Sequence, residues 1–248
     1  VIIMNLIQNE FFIGFLINFL LICVFFRLPI MTKSGWINAG FLGTMLWGCL
    51  SWQGWTSIVL YLFLGTLVTK IGYKYKTKKG IAEKRGGRRG PENVWGSAAT
   101  GLFFALLIKL NLGNLDLLKV AFASSFSAKL GDTFGSEIGK RFGKNTFLIT
   151  SLRKVEKGTE GAISLEGTLA SLLGSVIMSI FFLKLGIIYS YLQFIIVSIS
   201  GFLATIIESF IGASLQEKYK LSNEIVNSIQ TSIGAIFAIV FFLVLGKL

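Results

Sequence analysis

Long apolar runs alternate with short polar connections along the whole chain. The runs fall at about 11–26, 36–50, 54–70, 94–110, 117–138, 163–184, 187–213 and 228–246. A bilayer's hydrocarbon core takes about 20 apolar residues of helix. The pattern therefore predicts an all-α, polytopic transmembrane helical bundle of about eight spans, with seven to nine compatible. It also predicts one integral membrane domain over residues 1–248, because no connection is long and polar enough to fold alone. Only Ser51-Trp52-Gln53 divides the second run from the third, so these two form a tight antiparallel hairpin or one is re-entrant. The first run lacks a basic segment before it, and Arg27-Leu28-Pro29 follows in place of a small-residue cleavage site. It reads as a span rather than a leader.

The connections differ in charge. Basic residues gather at 27–35, 70–93, 139–162 and 214–226, whereas 51–53, 112–116 and 185–190 contain no Lys or Arg. The positive-inside rule places the basic connections on the cytoplasmic or stromal side and both termini on the other. The net charge of +12 is thereby explained by topology and by anionic ligands or membrane lipid, and nucleic acid is not implied.

Composition narrows the chemistry. Hydrophobic residues make up 53% of the chain, a membrane composition. Cys23 and Cys49 both lie in apolar runs, so they suggest neither a disulfide framework nor a metal site. The chain has no histidine, which removes imidazole acid–base catalysis and most zinc sites. Chemistry must run on carboxylates, hydroxyls, Lys, Arg, backbone groups and Mg²⁺.

One stretch, Ser124 to Gly139, breaks the apolar pattern. Lys129, Asp132 and Glu137 fall there among Ser124, Ser125, Ser127, Thr133, Ser136 and glycines. An ionisable group at membrane depth costs about 2.5–3.5 kcal/mol on insertion scales and persists where it faces a cavity or ligand. Helical spacing puts Lys129, Asp132 and Ser136 on one face, with Glu137 about 140° round from Asp132. An interhelical Lys–Asp pair alone would not need so many hydroxyls, so the stretch predicts a polar site for a charged substrate. Glu208, in the otherwise apolar seventh run, is costly for the same reason. Asp132, Glu137 and Glu208 form a candidate Mg²⁺ set, with Glu166 a further candidate.

Two basic loops carry anion-binding patterns. In Arg85-Gly86-Gly87-Arg88-Arg89 the glycines free backbone N–H groups and the arginines supply bidentate donors. The lysine-rich Lys74 to Lys79 half of that loop reads as a solvated stop-transfer segment. In Lys157-Gly158-Thr159-Glu160-Gly161-Ala162-Ile163-Ser164 a glycine-bearing turn leads into a helix N-terminus, a generic phosphate seat. Simple helix capping by Ser164 is the competing reading. Asn223 and Asn227 open the last helix on the same side. Trp36, Trp47, Trp52 and Trp55 fit an interfacial belt around the first hairpin.

Taken in order, Gly87-Arg88-Arg89, Asp132-Thr133, Ser136-Glu137-Ile138-Gly139, the Gly158-Thr159 to Ser171 pattern, Glu208-Ser209 with Gly212-Ala213, and Asn223-Glu224 with Asn227 resemble one family. It is the polytopic membrane family of phytyl-phosphate kinase of vitamin E biosynthesis and its animal relatives of unassigned activity. Glu208 stands where the family pattern suggests Asp, Ala162 where a second glycine is common, and Lys129 and Trp95 are unusual. The resemblance implies transfer of the γ-phosphoryl group of a nucleoside triphosphate, CTP favoured, to phytyl phosphate, giving phytyl diphosphate for tocopherol synthesis. It implies Mg²⁺ on Asp132, Glu137 and Glu208. Arg85, Arg88, Arg89, Lys157, Gly158, Thr159, Gly161, Ser164, Asn223 and Asn227 are the expected phosphate and nucleotide contacts, with Lys129, Asp132 and Glu137 catalytic. The partners expected are an isoprenoid phosphate lipid, the nucleotide and membrane lipid, and a homo-oligomer is left open. A thylakoid, plastid-envelope or bacterial inner membrane is the expected location. A prenyl-phosphate transporter or flippase, or a primary prenol kinase or cytidylyltransferase, are the alternatives. A prenyl phosphate already presents an ionised oxygen, so a histidine-free site can act by positioning and charge neutralisation.

Overall fold

The computed structural model describes residues 2–216 and 218–246, with side chains from residue 9 onward. Its helices are α1 (Ile2–Phe25), α2 (Lys33–Lys70), the short α3 (Tyr73–Lys78), α4 (Pro91–Lys109), α5 (Leu115–Phe142), α6 (Leu165–Lys184), α7 (Tyr191–Ile211) and α8 (Asn223–Leu245). Two-residue strands β1 (Phe147–Leu148) and β2 (Ala162–Ile163) pair antiparallel and tie together the ends of the loop before α6. A π-helical turn, Gly212–Gln216, continues α7.

Length and apolar composition qualify three of the described helices to cross a membrane: Leu165–Lys184, Tyr191–Gln216 and Asn223–Leu245. The others differ for identifiable reasons. The α5 helix carries the charges singled out above, and its apolar surface is replaced by small and hydroxylated residues.

The α2 helix doubles back. Leu50 (φ −127°, ψ 19°) and Ser51 (φ 53°, ψ −150°) leave helical geometry in its middle. Gly35 lies against the Arg89 carbonyl while Gly65 lies against the Arg89 guanidinium. A straight helix would separate those glycines by about 45 Å. The two arms therefore run antiparallel, as the short polar break at 51–53 predicts. Trp47 and Trp55 pack edge to face across the reversal at 5.6 Å. Their indoles do more than mark an interface: Trp47 donates to Glu10 (3.0 Å) and Trp55 to Asn18 (3.2 Å), both on α1. Glu10 also accepts from Ser51 Oγ (3.3 Å), so α1 holds the turn.

At the centre lies α5, which packs against α2, α4, α6, α7 and α8. Its small residues explain this position. Gly131, Gly135 and Gly139 recur every four residues and meet Gly167, Ser171 and Ser175 of α6, so the backbones nearly touch. Ser127 donates to the Ser175 carbonyl (2.9 Å) and Ser175 back to that of Ser127 (3.3 Å). Ser124 donates to the Gly234 carbonyl (2.7 Å), and Gln230 to that of Ala128 (2.9 Å), joining α8. The hydroxyls of this stretch thus divide between bundle packing and the polar site.

Candidate functional site

The basic connections meet at one end of the bundle. Residues from the 80–89, 157–164 and 216–224 segments line a single cavity of about 660 Å³ that reaches down between α2, α4, α5, α7 and α8. The 26–32 connection joins them, because Arg89 N–H donates to the Ile30 carbonyl (3.0 Å) and Thr32 N–H to that of Arg89 (3.0 Å). Of the residues expected at the site, all but the further candidate Glu166 line this cavity: Lys129, Asp132, Glu137 and Glu208, Arg85, Arg88, Arg89 and Lys157, and Gly158, Thr159, Gly161, Ser164, Asn223 and Asn227. Their individual placements differ from expectation in several respects.

Lys129 and Asp132, one turn apart on α5, form a largely buried ion pair (2.5 Å), and the Lys129 ammonium also donates to Asn227 Oδ1 on α8 (2.8 Å). Glu208 of α7 and Glu160 of the loop before α6 line the same cavity as this pair. Two helices and a loop therefore contribute three carboxylates and one ammonium to the lining of one cavity. Glu160 escapes a search for charges in apolar runs because it sits in a polar loop. Partial desolvation, opposed by Lys140 and reinforced by Asp132 and Glu83, pushes its carboxyl above the ordinary value.

Glu137 does not join this set. Its carboxylate takes an ion pair from Lys76, whose side chain is completely buried, and lies 3.7 Å from the Lys140 ammonium. Lys76 also donates to the Thr69 carbonyl (2.9 Å), closing the last turn of α2. Among the described residues no three His, Cys, Asp or Glu side chains converge as a metal cage. The expected Asp132–Glu137–Glu208 ligand set is therefore corrected, because the 140° turn along α5 aims Glu137 at α3. The solvated reading of the Lys74–Lys79 segment is corrected for Lys76. Glu166 caps a different feature: its Oε2 accepts from Lys144 N–H (3.3 Å), and it does not line the cavity. Asp132 with Glu208 still fits Mg²⁺, which commonly takes one or two carboxylates and fills its remaining positions with water and substrate phosphate.

The arginines have separate roles. Arg85 pairs with Glu92 and donates to Asn93 Oδ1 (2.8 Å), so it braces the loop against α4. Arg85, Gly86 and Gly87 all have positive φ (55°, 71° and 77°), which explains the paired glycines. Arg88 is exposed at the rim, its Nε donating to the Arg85 carbonyl (3.1 Å). Arg89 turns inward, donates to the buried Tyr61 hydroxyl (2.5 Å) and lies 4.9 Å from that ring's centroid. Tyr61 in turn meets Ser97 Oγ at 3.1 Å. Neither Tyr61 nor Ser97 stands out in sequence, since each is one polar group in an apolar helix.

The glycine turn before α6 is mostly packed. Gly161 (φ 72°) is pressed against Ala213 of the π turn, and Gly158 (φ 89°) faces Ile81. Ser164 Oγ accepts from Gly167 N–H (3.1 Å), which is the capping reading. Thr159 donates to the Glu156 carbonyl (2.8 Å), and Asn223 Oδ1 accepts from Gln216 (2.5 Å). Lys157, 5.9 Å from the Tyr75 ring centroid, makes no salt bridge among the described residues.

The family model "Integral membrane protein DUF92" matches residues 16–236. The chain belongs to this integral membrane family. It is 47% identical over 212 residues to the uncharacterized membrane protein sll0875 of Synechocystis, covering 85% of this chain and 82% of that one. It is 42% identical over 215 residues to the chloroplastic protein VTE6 of Arabidopsis thaliana, covering 84% of this chain and 64% of that one. The uncharacterized membrane protein MJ0933 of Methanocaldococcus jannaschii is 33% identical over 241 residues, covering 94% of this chain and 96% of its own. No solved structure matches the chain.

Proposed function

We propose that this chain is a prenyl-phosphate kinase, with phytyl phosphate the acceptor, a nucleoside triphosphate (CTP favoured) the donor and tocopherol synthesis the destination. The observation that carries the reading is the cavity at the basic end, which Arg89, Lys129, Asp132, Glu208 and Asn227 line together. The motifs resembling the phytyl-phosphate kinase family and the similarity to VTE6 support it. In this reading the chain crosses the membrane about eight times, counting both arms of α2, with its basic loops toward the cytoplasm or stroma. A thylakoid, plastid-envelope or bacterial inner membrane is the proposed location.

The chemistry asks little of acid–base groups. An oxygen of the prenyl phosphate forms the new bond to the γ-phosphorus as the bond to the β,γ-bridging oxygen breaks. The nucleoside diphosphate departs with that electron pair, and no proton need be removed from the acceptor. Asp132 and Glu208 would hold Mg²⁺, which when bound neutralises phosphate charge. Asn227 and Asp132 hold the Lys129 ammonium in place, and Arg88 and Lys157 offer cations at the nucleotide end.

The test is turnover by purified protein with phytyl phosphate, Mg²⁺ and each of CTP, ATP, GTP and UTP in separate reactions. Phytyl diphosphate appearing in step with nucleoside diphosphate is expected. No diphosphate with any nucleotide, and none from geranylgeranyl phosphate, would reject the kinase and favour a carrier.

A further inference from the structure

The cavity is not uniformly polar, and its polarity changes with depth along α7. Glu208 lies near the helix end. Ile206 and then Phe202, four residues deeper on the same helix, continue the lining, and Thr205 beside them packs toward Gly131. The same cavity is lined by Arg89, a partly buried cation whose side-chain hydrogen bond goes to the Tyr61 hydroxyl. Among the described residues Arg89 makes no salt bridge. A guanidinium brought toward membrane depth without a carboxylate calls for an external anion. The backbone around it is built for this pose, since Arg89 N–H and C=O are both tied to the 30–32 segment and Gly65 leaves room for the guanidinium. Tyr61, Arg89 and Lys129 all line this cavity, so its wall presents two cations and a phenol hydroxyl together.

A cationic waist above an apolar wall is the complement of an amphiphile with one phosphate head. We propose that the acceptor lipid has its own seat, distinct from the nucleotide's: Arg89, Tyr61 and Lys129 hold the phosphate, and the hydrocarbon chain runs down α7 past Ile206 and Phe202. This rests on the prenyl-phosphate reading and adds the residues that choose the head and the chain length. Arg89 is then a binding residue for the acceptor, and Phe202 a gauge of chain length.

Equilibrium binding of geranyl, farnesyl and geranylgeranyl phosphates to the nanodisc-embedded protein, without nucleotide, tests the seat. Arg89→Gln should weaken all three by tenfold or more while leaving binding of a non-hydrolysable nucleoside triphosphate within twofold. Phe202→Trp should weaken geranylgeranyl phosphate by about tenfold, equivalent to about 1.4 kcal/mol, and geranyl phosphate far less. Phe202→Ala, which removes bulk, should narrow the difference between the chains and guards against a misfolded Trp variant. Unchanged lipid binding in Arg89→Gln, equal weakening of all chains by Phe202→Trp, or no binding to the wild type would overturn the seat. If the wild type binds these lipids and loses them in Arg89→Gln, yet forms no diphosphate with any nucleotide, the seat stands and the kinase reading falls.

Discussion

Lys76 and Glu137 form an ion pair with side-chain exposures of 0% and 2%, linking the α2–α3 corner to the central α5 helix. The corner continues into the arginine loop, so the pair sets where the cavity's rim stands relative to its floor. Among the described residues Glu137 Oε1 has no hydrogen-bond partner, and the Lys140 ammonium lies 3.7 Å from it.

The pair makes asymmetric demands. Glu137→Leu strands a completely buried ammonium, left among the described residues with the Thr69 carbonyl alone to receive it, and should cost about 3–5 kcal/mol. Lys76→Met leaves Glu137 with Lys140 and should cost less. The double variant Lys76→Met/Glu137→Leu should recover most of the loss in thermal unfolding, with the Mg²⁺ dependence of turnover unchanged. A shifted Mg²⁺ dependence in the double variant would return Glu137 to the metal site.

Asp132 and Glu208 carry the opposite expectation. Asp132→Asn keeps the hydrogen bond available to Lys129 but removes the charge that Mg²⁺ requires, so turnover should be abolished with little change in unfolding temperature. Glu208→Gln should raise the Mg²⁺ concentration needed for half-maximal rate by an order of magnitude or so, roughly 1.4 kcal/mol. Full activity in Asp132→Asn would take that carboxylate out of the reaction.

Gly65 controls Arg89 by omission. A Cβ built there would stand 2.6 Å from the Arg89 guanidinium and push it off Tyr61. Gly65→Ala should therefore weaken acceptor binding several-fold while slightly favouring the α2 helix itself, since alanine is the better helix former by about 1 kcal/mol. Calorimetry and lipid titration on the same sample separate the two effects. Wild-type acceptor affinity in Gly65→Ala would contradict the inward pose of Arg89.

Glu160 gives a pH signature. Its carboxyl is raised above the ordinary value, so the folded state binds that proton more tightly than the unfolded chain does. The resulting stability is fully present below the ordinary carboxylate pKa, about 4.3, and is lost as pH rises through the folded value. Glu160→Gln removes this dependence. The variant should melt higher than wild type at mildly alkaline pH, with the gap closing on acidification. A gap that widened on acidification would mean that Glu160 is held as a stabilised carboxylate.

Helices, basic loops and charged positions could be read before folding because each leaves a local trace. Membrane thickness sets the length of an apolar run, Ser51-Trp52-Gln53 interrupts one, and the cost of burying charge marks Lys129, Asp132 and Glu208 as exceptions. Boundaries shifted where capping decides them: α8 begins at Asn223 because Ser222 accepts from Ile225 N–H (3.3 Å), five residues before the apolar run. Arg85 and Arg89 look equivalent in sequence, yet one braces a loop through Glu92 and the other enters the cavity beside Tyr61.

The sequence by itself determined an all-helical membrane protein with its charged chemistry on one α5 stretch and in the basic loops. Those features depend on composition and spacing along one segment. Only the tertiary structure decided that Glu137 answers Lys76 rather than Asp132, that Tyr61 and Glu160 belong to the site, and that α7 lends the cavity an apolar wall. These depend on which residues from distant segments share a face, and that is fixed by the close approach of small residues between α5 and α6 and by the reversal of α2 at Ser51.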